Sequence, residues 1–133
     1  MSHNIENGVK SNNGLNTEKK FSDLTNLKKT SNNEKPKFIN SYGNEQIIDF
    51  DFHTTKNDVK IFIDVCSTFR SDRAKQKGYN ALLYKMFIST NCKFYIGVGS
   101  LVENGSIVNP KNIEGIDGIY HIDELSKLIN EHY

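Results

Sequence analysis

The chain has 133 residues, enough for one hydrophobic core and not for two. Hydrophobic residues are 36% and charged residues 25%, the composition of a globular domain carrying a polar appendage. Lys+Arg 17 against Asp+Glu 16 gives a formal net charge of +1, which excludes a chain held to polyanions by its overall field. Any such contact has to come from local clusters.

Residues 1–16 are polar and lack apolar periodicity, so a disordered tail is expected there, with a single domain over 17–133. Thr17 is placed to cap a helix with Glu18 in its first turn, where the helix dipole favours a carboxylate. Phe21, Leu24 and Leu27 continue it at helical spacing as far as Ser31-Asn32-Asn33. Pro36 lies in an extended stretch, and Tyr42-Gly43-Asn44 reads as a turn. Residues 45–53 alternate as a strand, with Ile47, Asp49, Asp51 and His53 on one face and Ile48, Phe50 and Phe52 on the other. Residues 54–58 form a short polar linker, and residues 59–68 a second strand of the same hairpin. There Val59, Ile61, Ile63 and Val65 share one face, and Phe62, Asp64 and Cys66 the other.

Ser71 and Asp72 open a helix predicted to run to Phe87, with Tyr79, Leu82, Leu83 and Met86 as its apolar stripe. Residues 93–101 are β-branched and aromatic and read as a buried strand. The glycines and the proline of 103–118 mark a loop or hairpin excursion. A short strand over 119–122 precedes a last helix, capped by Asp123, with Leu125, Leu128 and Ile129 inward. The order α-β-β-(β)-α-β-β-α predicts an α/β (α+β) domain: a central mixed sheet flanked by helices.

Cys66 and Cys92 have no C-x-x-C partner and read as reduced thiols. No apolar run is long enough to cross a bilayer, and the opening MSHNIENGVK lacks an apolar signal core. A cytoplasmic protein with no membrane partner is therefore expected.

Chemistry concentrates on the predicted hairpin. Strand residues i and i+2 share a face, so Asp49 points with Asp51, and Asp64 with Cys66. Carboxylates among Ile and Phe are costly unless solvated, paired or bound to a cation. Hard oxygen donors from one or two carboxylates suit Mg²⁺ (or Mn²⁺), which can polarise a phosphodiester. Between residues 70 and 85, Arg70, Arg73, Lys75, Lys77 and Lys85 face only Asp72. Arg73, Lys77 and Asn80 lie at helical spacing on one side of that helix, a face that can contact phosphates without reading bases.

The run IIDFDFH, then IFIDVCSTFR, then a helix beginning SDRAKQKGYNALLYK, resembles the PD-(D/E)XK superfamily of restriction-endonuclease-like nucleases over residues 17–101. The resemblance implies an α-β-β-β-α-β core and Mg²⁺-dependent hydrolysis of DNA. Asp49 or Asp51 matches the first acid and Asp64 the second. Glu18 stands where an N-terminal helix of such families sometimes completes the metal site. Cys66 departs from the pattern, since the family places there a Lys that orients the attacking water and neutralises charge. Lys75 or Lys77 on the following helix is a replacement, with Arg70 a third. Many such enzymes are homodimers. The competing expectation is a catalytically inactive module on the same fold that binds nucleic acid or a partner protein; Cys66 favours it.

Three other readings are weaker. Cys66 with His53 would need an oxyanion loop and a third orienting residue, neither of which is evident. A zinc site from Cys66, Cys92, His53 and His121 lacks short ligand spacing. Gly97 and Gly99 in IGVGS form an incomplete phosphate-loop pattern that tight strand packing explains better.

Overall fold

The computed structural model describes residues 15–103, 106–107 and 112–133. A helix, α1, covers residues 15–25 and stops where Asn26 takes a left-handed conformation (φ 60°). This shortens the predicted helix, and it places Thr17 inside the helix instead of at its cap. Residues 15 and 16, expected as the end of the tail, are helical; residues 1–14 lie outside the described residues. A single 3-10 turn, Asn32–Glu34, follows.

Strands β1 (Lys37–Ile39) and β2 (Glu45–Ile47) form a separate antiparallel ribbon. Its turn is closed by Asn40, whose Oδ1 accepts from the Tyr42 and Asn44 N–H groups. The main sheet contains β3 (Phe52–Lys56), β4 (Val59–Thr68), β5 (Cys92–Ser100) and β8 (Gly118–His121), in that spatial order. β3 is antiparallel to β4; β4, β5 and β8 are mutually parallel. Helix α2 (Ser71–Phe87) links β4 to β5, and α3 (Ile122–His132) follows β8. The excursion between β5 and β8 contains a small ribbon, β6 (Val102–Glu103) with β7 (Ser106–Ile107). The fold is thus mixed α/β around a mixed four-stranded sheet.

Two details of the hairpin differ from the sequence reading. Asn57 and Asp58 both take positive φ (52° and 66°), so a two-residue turn joins β3 to β4 in place of a five-residue linker. The alternation of 45–53 is also broken. Residues 45–47 pair with β1, and residue 51 is a bend before β3. Ile48 and Phe50 pack with Phe62 on the α2 side of the sheet, whereas Phe52 packs on the opposite side with Phe21. A continuous strand would have kept all three on one face.

The face opposite α2 carries the dense apolar core: Phe21 from α1, Phe52, Ile61, Ile63 and Tyr95 from the sheet, and Ile122, Leu125 and Ile129 from α3. Here α3 buries Leu125 and Ile129 as expected, but its cap is His121, whose Nδ1 accepts from the Asp123 N–H. On the other face, α2 buries Ala74, Gly78, Ala81 and Tyr84. Of the predicted stripe, Leu83 packs half-buried against the cluster around Phe62 and Tyr84, while Tyr79 (60%), Leu82 (37%) and Met86 (73%) are exposed. Small side chains let the helix approach closely. A Cβ on Gly78 would lie 2.4 Å from the Glu114 carbonyl oxygen, so the 112–117 loop seats directly on the helix backbone.

Candidate active site

Asp64 sits on β4, on the face toward α2, and Asp51 sits on the bend that enters β3. The break in alternation brings them together: Asp64 Oδ1 accepts from the Asp51 N–H at 3.2 Å, and Asp51 Oδ2 accepts from the Val65 N–H at 2.9 Å. Two turns into α2, Lys77 reaches back over the sheet, its Nζ 3.2 Å from Asp64 Oδ2. The same ammonium lies 3.8 Å from Asp49 Oδ2 and donates to the Asp49 carbonyl oxygen at 3.3 Å.

These residues line a cleft of about 510 Å³ at the C-terminal end of β4 and the start of α2. Glu18, Cys66, Arg70 and Arg73 share its wall. Of the residues nominated from sequence as a site, the fold therefore gathers Glu18, Asp49, Asp51, Asp64, Lys77, Arg70 and Arg73 around one space. It leaves out two. Lys75 is exposed and does not line the cleft, and Asn80 lies half-buried further along the helix. The exclusion of Lys75 follows from helix geometry: it is two residues from Lys77 and so projects about 160° away around the axis.

The acids are not equivalent. Asp64 is largely buried, its side chain 15% exposed. Burial pushes its carboxyl up to about 7, with Asp51 pushing the same way and Lys77 opposing. Asp49 is held below the usual carboxylate range, chiefly by Lys35, whose Nζ lies 2.6 Å from Asp49 Oδ1. Glu18 is paired with Lys29 at 3.0 Å. Lys29 and Lys35 drew no attention in the sequence. Both come from the segment between α1 and β1, which a Thr30 N–H bond to the Asp51 carbonyl (2.7 Å) and a Thr30 hydroxyl contact with His53 Nδ1 (2.9 Å) fasten to the start of β3. Nothing in a linear pattern marks such partners, because they lie 11 to 14 residues from the acids they hold.

Cys66 contributes a neutral wall. Burial, reinforced by the Asp64 charge, pushes its thiol up to about 11, and its Sγ points at the Gly97 carbonyl at 3.8 Å. It is therefore not a thiolate nucleophile at neutral pH. His53 is engaged with Thr30 and, at 3.6 Å, with Glu34. Gly97 and Gly99 are packing glycines: a Cβ would meet Leu125 and Ile122 at Gly97, and Thr17 and the Ser67 carbonyl at Gly99.

Among the described residues no group of three or more His, Cys, Asp or Glu side chains is arranged to enclose a metal ion. A closed protein cage is thus absent there. Asp51 and Asp64 are hard oxygen donors on the wall of the cleft, the kind of group by which Mg²⁺ is commonly held with substrate phosphates and water completing the shell. Among the described residues no helix is long and apolar enough to cross a membrane.

Comparison of the chain with known protein families, with characterised proteins and with solved structures returns no match.

Proposed function

We propose that the protein is a Mg²⁺-dependent (or Mn²⁺-dependent) endonuclease that hydrolyses phosphodiester bonds in DNA, on a restriction-endonuclease-like plan. The observation that supports this most is the meeting of Asp51, Asp64 and Lys77 in one cleft with Arg70 and Arg73 on its wall. In this reading Lys77 stands in for the lysine missing at position 66, because α2 brings its ammonium onto the acid that precedes Cys66 by two residues. Asp51 and Asp64 would hold the divalent ion, which supplies Lewis acidity toward a phosphodiester oxygen. The Lys77 ammonium offers positive charge where negative charge grows during phosphoryl transfer. Arg73 and Arg70 at the mouth would contact flanking phosphates; Arg70 is tethered there by Asp72 at 3.2 Å.

A second reading, an inactive module of the same plan, is favoured by one observation: Glu18, Asp49 and Asp64 each already face a lysine. Nicking of supercoiled plasmid by purified protein separates the two. The nuclease reading expects Mg²⁺-dependent nicking that EDTA stops and that Asp64→Asn lowers by roughly 10²-fold or more. Absence of nicking with Mg²⁺ and with Mn²⁺ overturns it in favour of the inactive module.

A further inference from the structure

The cleft is charge-matched from within. Lys29 faces Glu18 at 3.0 Å, Lys35 faces Asp49 at 2.6 Å, and Lys77 faces Asp64 at 3.2 Å. Among the described residues Asp51 alone of the four acids has no ion pair, its Oδ2 being taken by the Val65 N–H. Two of these lysines are side chains of the strap that crosses from α1 to β1, fastened by Thr30 to Asp51 and His53. Lys77 differs. Its stem is on α2, its side chain is 27% exposed, and its ammonium is already shared between Asp64, the Asp49 carboxylate and the Asp49 carbonyl. It can leave Asp64 and remain held by Asp49, whereas among the described residues Lys29 and Lys35 each lie within ion-pair distance of a single carboxylate.

Asp64 therefore has a resident cation on the oxygen a divalent ion would use, Oδ2, while its Oδ1 accepts a backbone N–H. Two cations on one carboxylate oxygen repel each other strongly in a partly buried site. A phosphodiester in the cleft supplies what the ammonium otherwise seeks, a negative oxygen. We propose that divalent cation and polyanion enter this cleft together, with Lys77 guarding Asp64 in the free protein and the phosphate drawing the ammonium away. This deepens the nuclease reading and rests on it. Coupling of this kind is reciprocal: the cation strengthens polyanion binding by the same factor.

The test is Mn²⁺ binding to the full chain, by calorimetry and by the spin-resonance signal of free Mn²⁺. It is done alone and with a short DNA duplex made cleavage-resistant by phosphorothioate linkages. For the wild type, the duplex should tighten Mn²⁺ binding by roughly tenfold or more. Lys77→Gln, which keeps a hydrogen bond donor beside Asp64 and removes the charge, should bind Mn²⁺ alone about tenfold more tightly than wild type and lose most of the duplex effect. Lys77→Arg retains the charge and should retain the coupling; circular dichroism checks that each variant is folded. If wild type binds Mn²⁺ equally well with and without duplex, or if Lys77→Gln keeps the full duplex effect, the guarding role falls and the nuclease reading stands. If neither wild type nor a folded Lys77→Gln binds Mn²⁺ under either condition, the metal-dependent reading falls and takes this inference with it.

Discussion

Helix α2 makes two lysine–aspartate pairs with the sheet side of the molecule, eight residues apart, and they have opposite characters. At its C-terminal half, Lys85 lies 3.1 Å from Asp117 Oδ2 and also donates to the Gly115 carbonyl at 3.1 Å. Asp117 in turn accepts the Phe94 N–H at 2.8 Å, and Lys93 is a second cation at 4.0 Å. Each group there binds backbone as well as its partner, and the result fastens the 112–117 loop to α2 and β5. At the N-terminal half, Lys77 and Asp64 are surrounded by Asp49, Asp51 and Glu18, with two arginines at the rim. The first pair is satisfied by the fold. The second also binds backbone, through the Asp49 carbonyl and the Asp51 N–H, but it stands among three further acids on the wall of a cleft. The same two residue types at nearly the same separation thus serve a clamp in one place and a chemical site in the other, and the neighbours decide which.

The sharpest way to break this comparison is to neutralise the acid of each pair in turn. Asp64→Asn should cost nicking activity heavily, as stated above, yet leave the protein folded. Asp117→Asn should leave nicking within about threefold while lowering stability by about 1–3 kcal/mol, because the Phe94 N–H and the Lys85 ammonium lose a charged acceptor. Urea melts of both variants beside plasmid nicking rates would reveal a reversal of these roles.

Asp64 should also declare itself by pH. Asp64 holds its proton up to about 7 in the fold, against an ordinary value of 3.8, so between those values the folded chain binds more protons than the unfolded one. Its contribution to stability therefore falls as pH rises from about 4 to about 7 and is level above that. The charged groups facing it are Lys77, Asp51 and Asp49. Asp64→Asn should remove this fall: its melting temperature should match wild type near pH 4 and exceed it by about 5 °C near pH 8. A wild-type and mutant difference that is constant across pH would show that Asp64 does not carry this shift.

The smallest expected effect lies at Cys66. With a thiol pushed up to about 11 and Lys77 supplying the ammonium, Cys66→Ala should change nicking by no more than about twofold. Alkylation of Cys66 by iodoacetamide should be slow at neutral pH and accelerate only in strong alkali. Loss of activity in Cys66→Ala would give the thiol a role that its neighbours do not suggest.

Much of this was legible in the residues themselves. Strand β4 announces itself by its alternation, which sets Asp64 and Cys66 on one face, and the apolar periodicity of α3 places Leu125 and Ile129 inward. These are local signals: a period of two or of 3.6 needs only neighbours to be read. The hairpin between β3 and β4 was legible too, although not its two-residue turn, since Asn57-Asp58 is a weaker hairpin signal than the Asn-Gly that both positive φ values favour.

What tertiary structure alone decided is which side each element presents and who meets whom. On α2 the hydropathy of Tyr79, Leu82, Leu83 and Met86 points to one face, of which Leu83 packs on the core, but the residues the helix buries are Ala74, Gly78, Ala81 and Tyr84, because closeness of approach to the sheet and to the Glu114 carbonyl is won by small side chains. Beyond Ile47 the chain leaves the β1–β2 ribbon, and the bend at residue 51, where it enters the main sheet, sets Asp51 beside Asp64, a placement no repeating pattern contains. The choice of Lys77 over Lys75, and the capture of Glu18 and Asp49 by Lys29 and Lys35, depend on distances between segments far apart in sequence. Periodicity reports on a residue's own element, while a site is made where elements converge, and that convergence is set by packing.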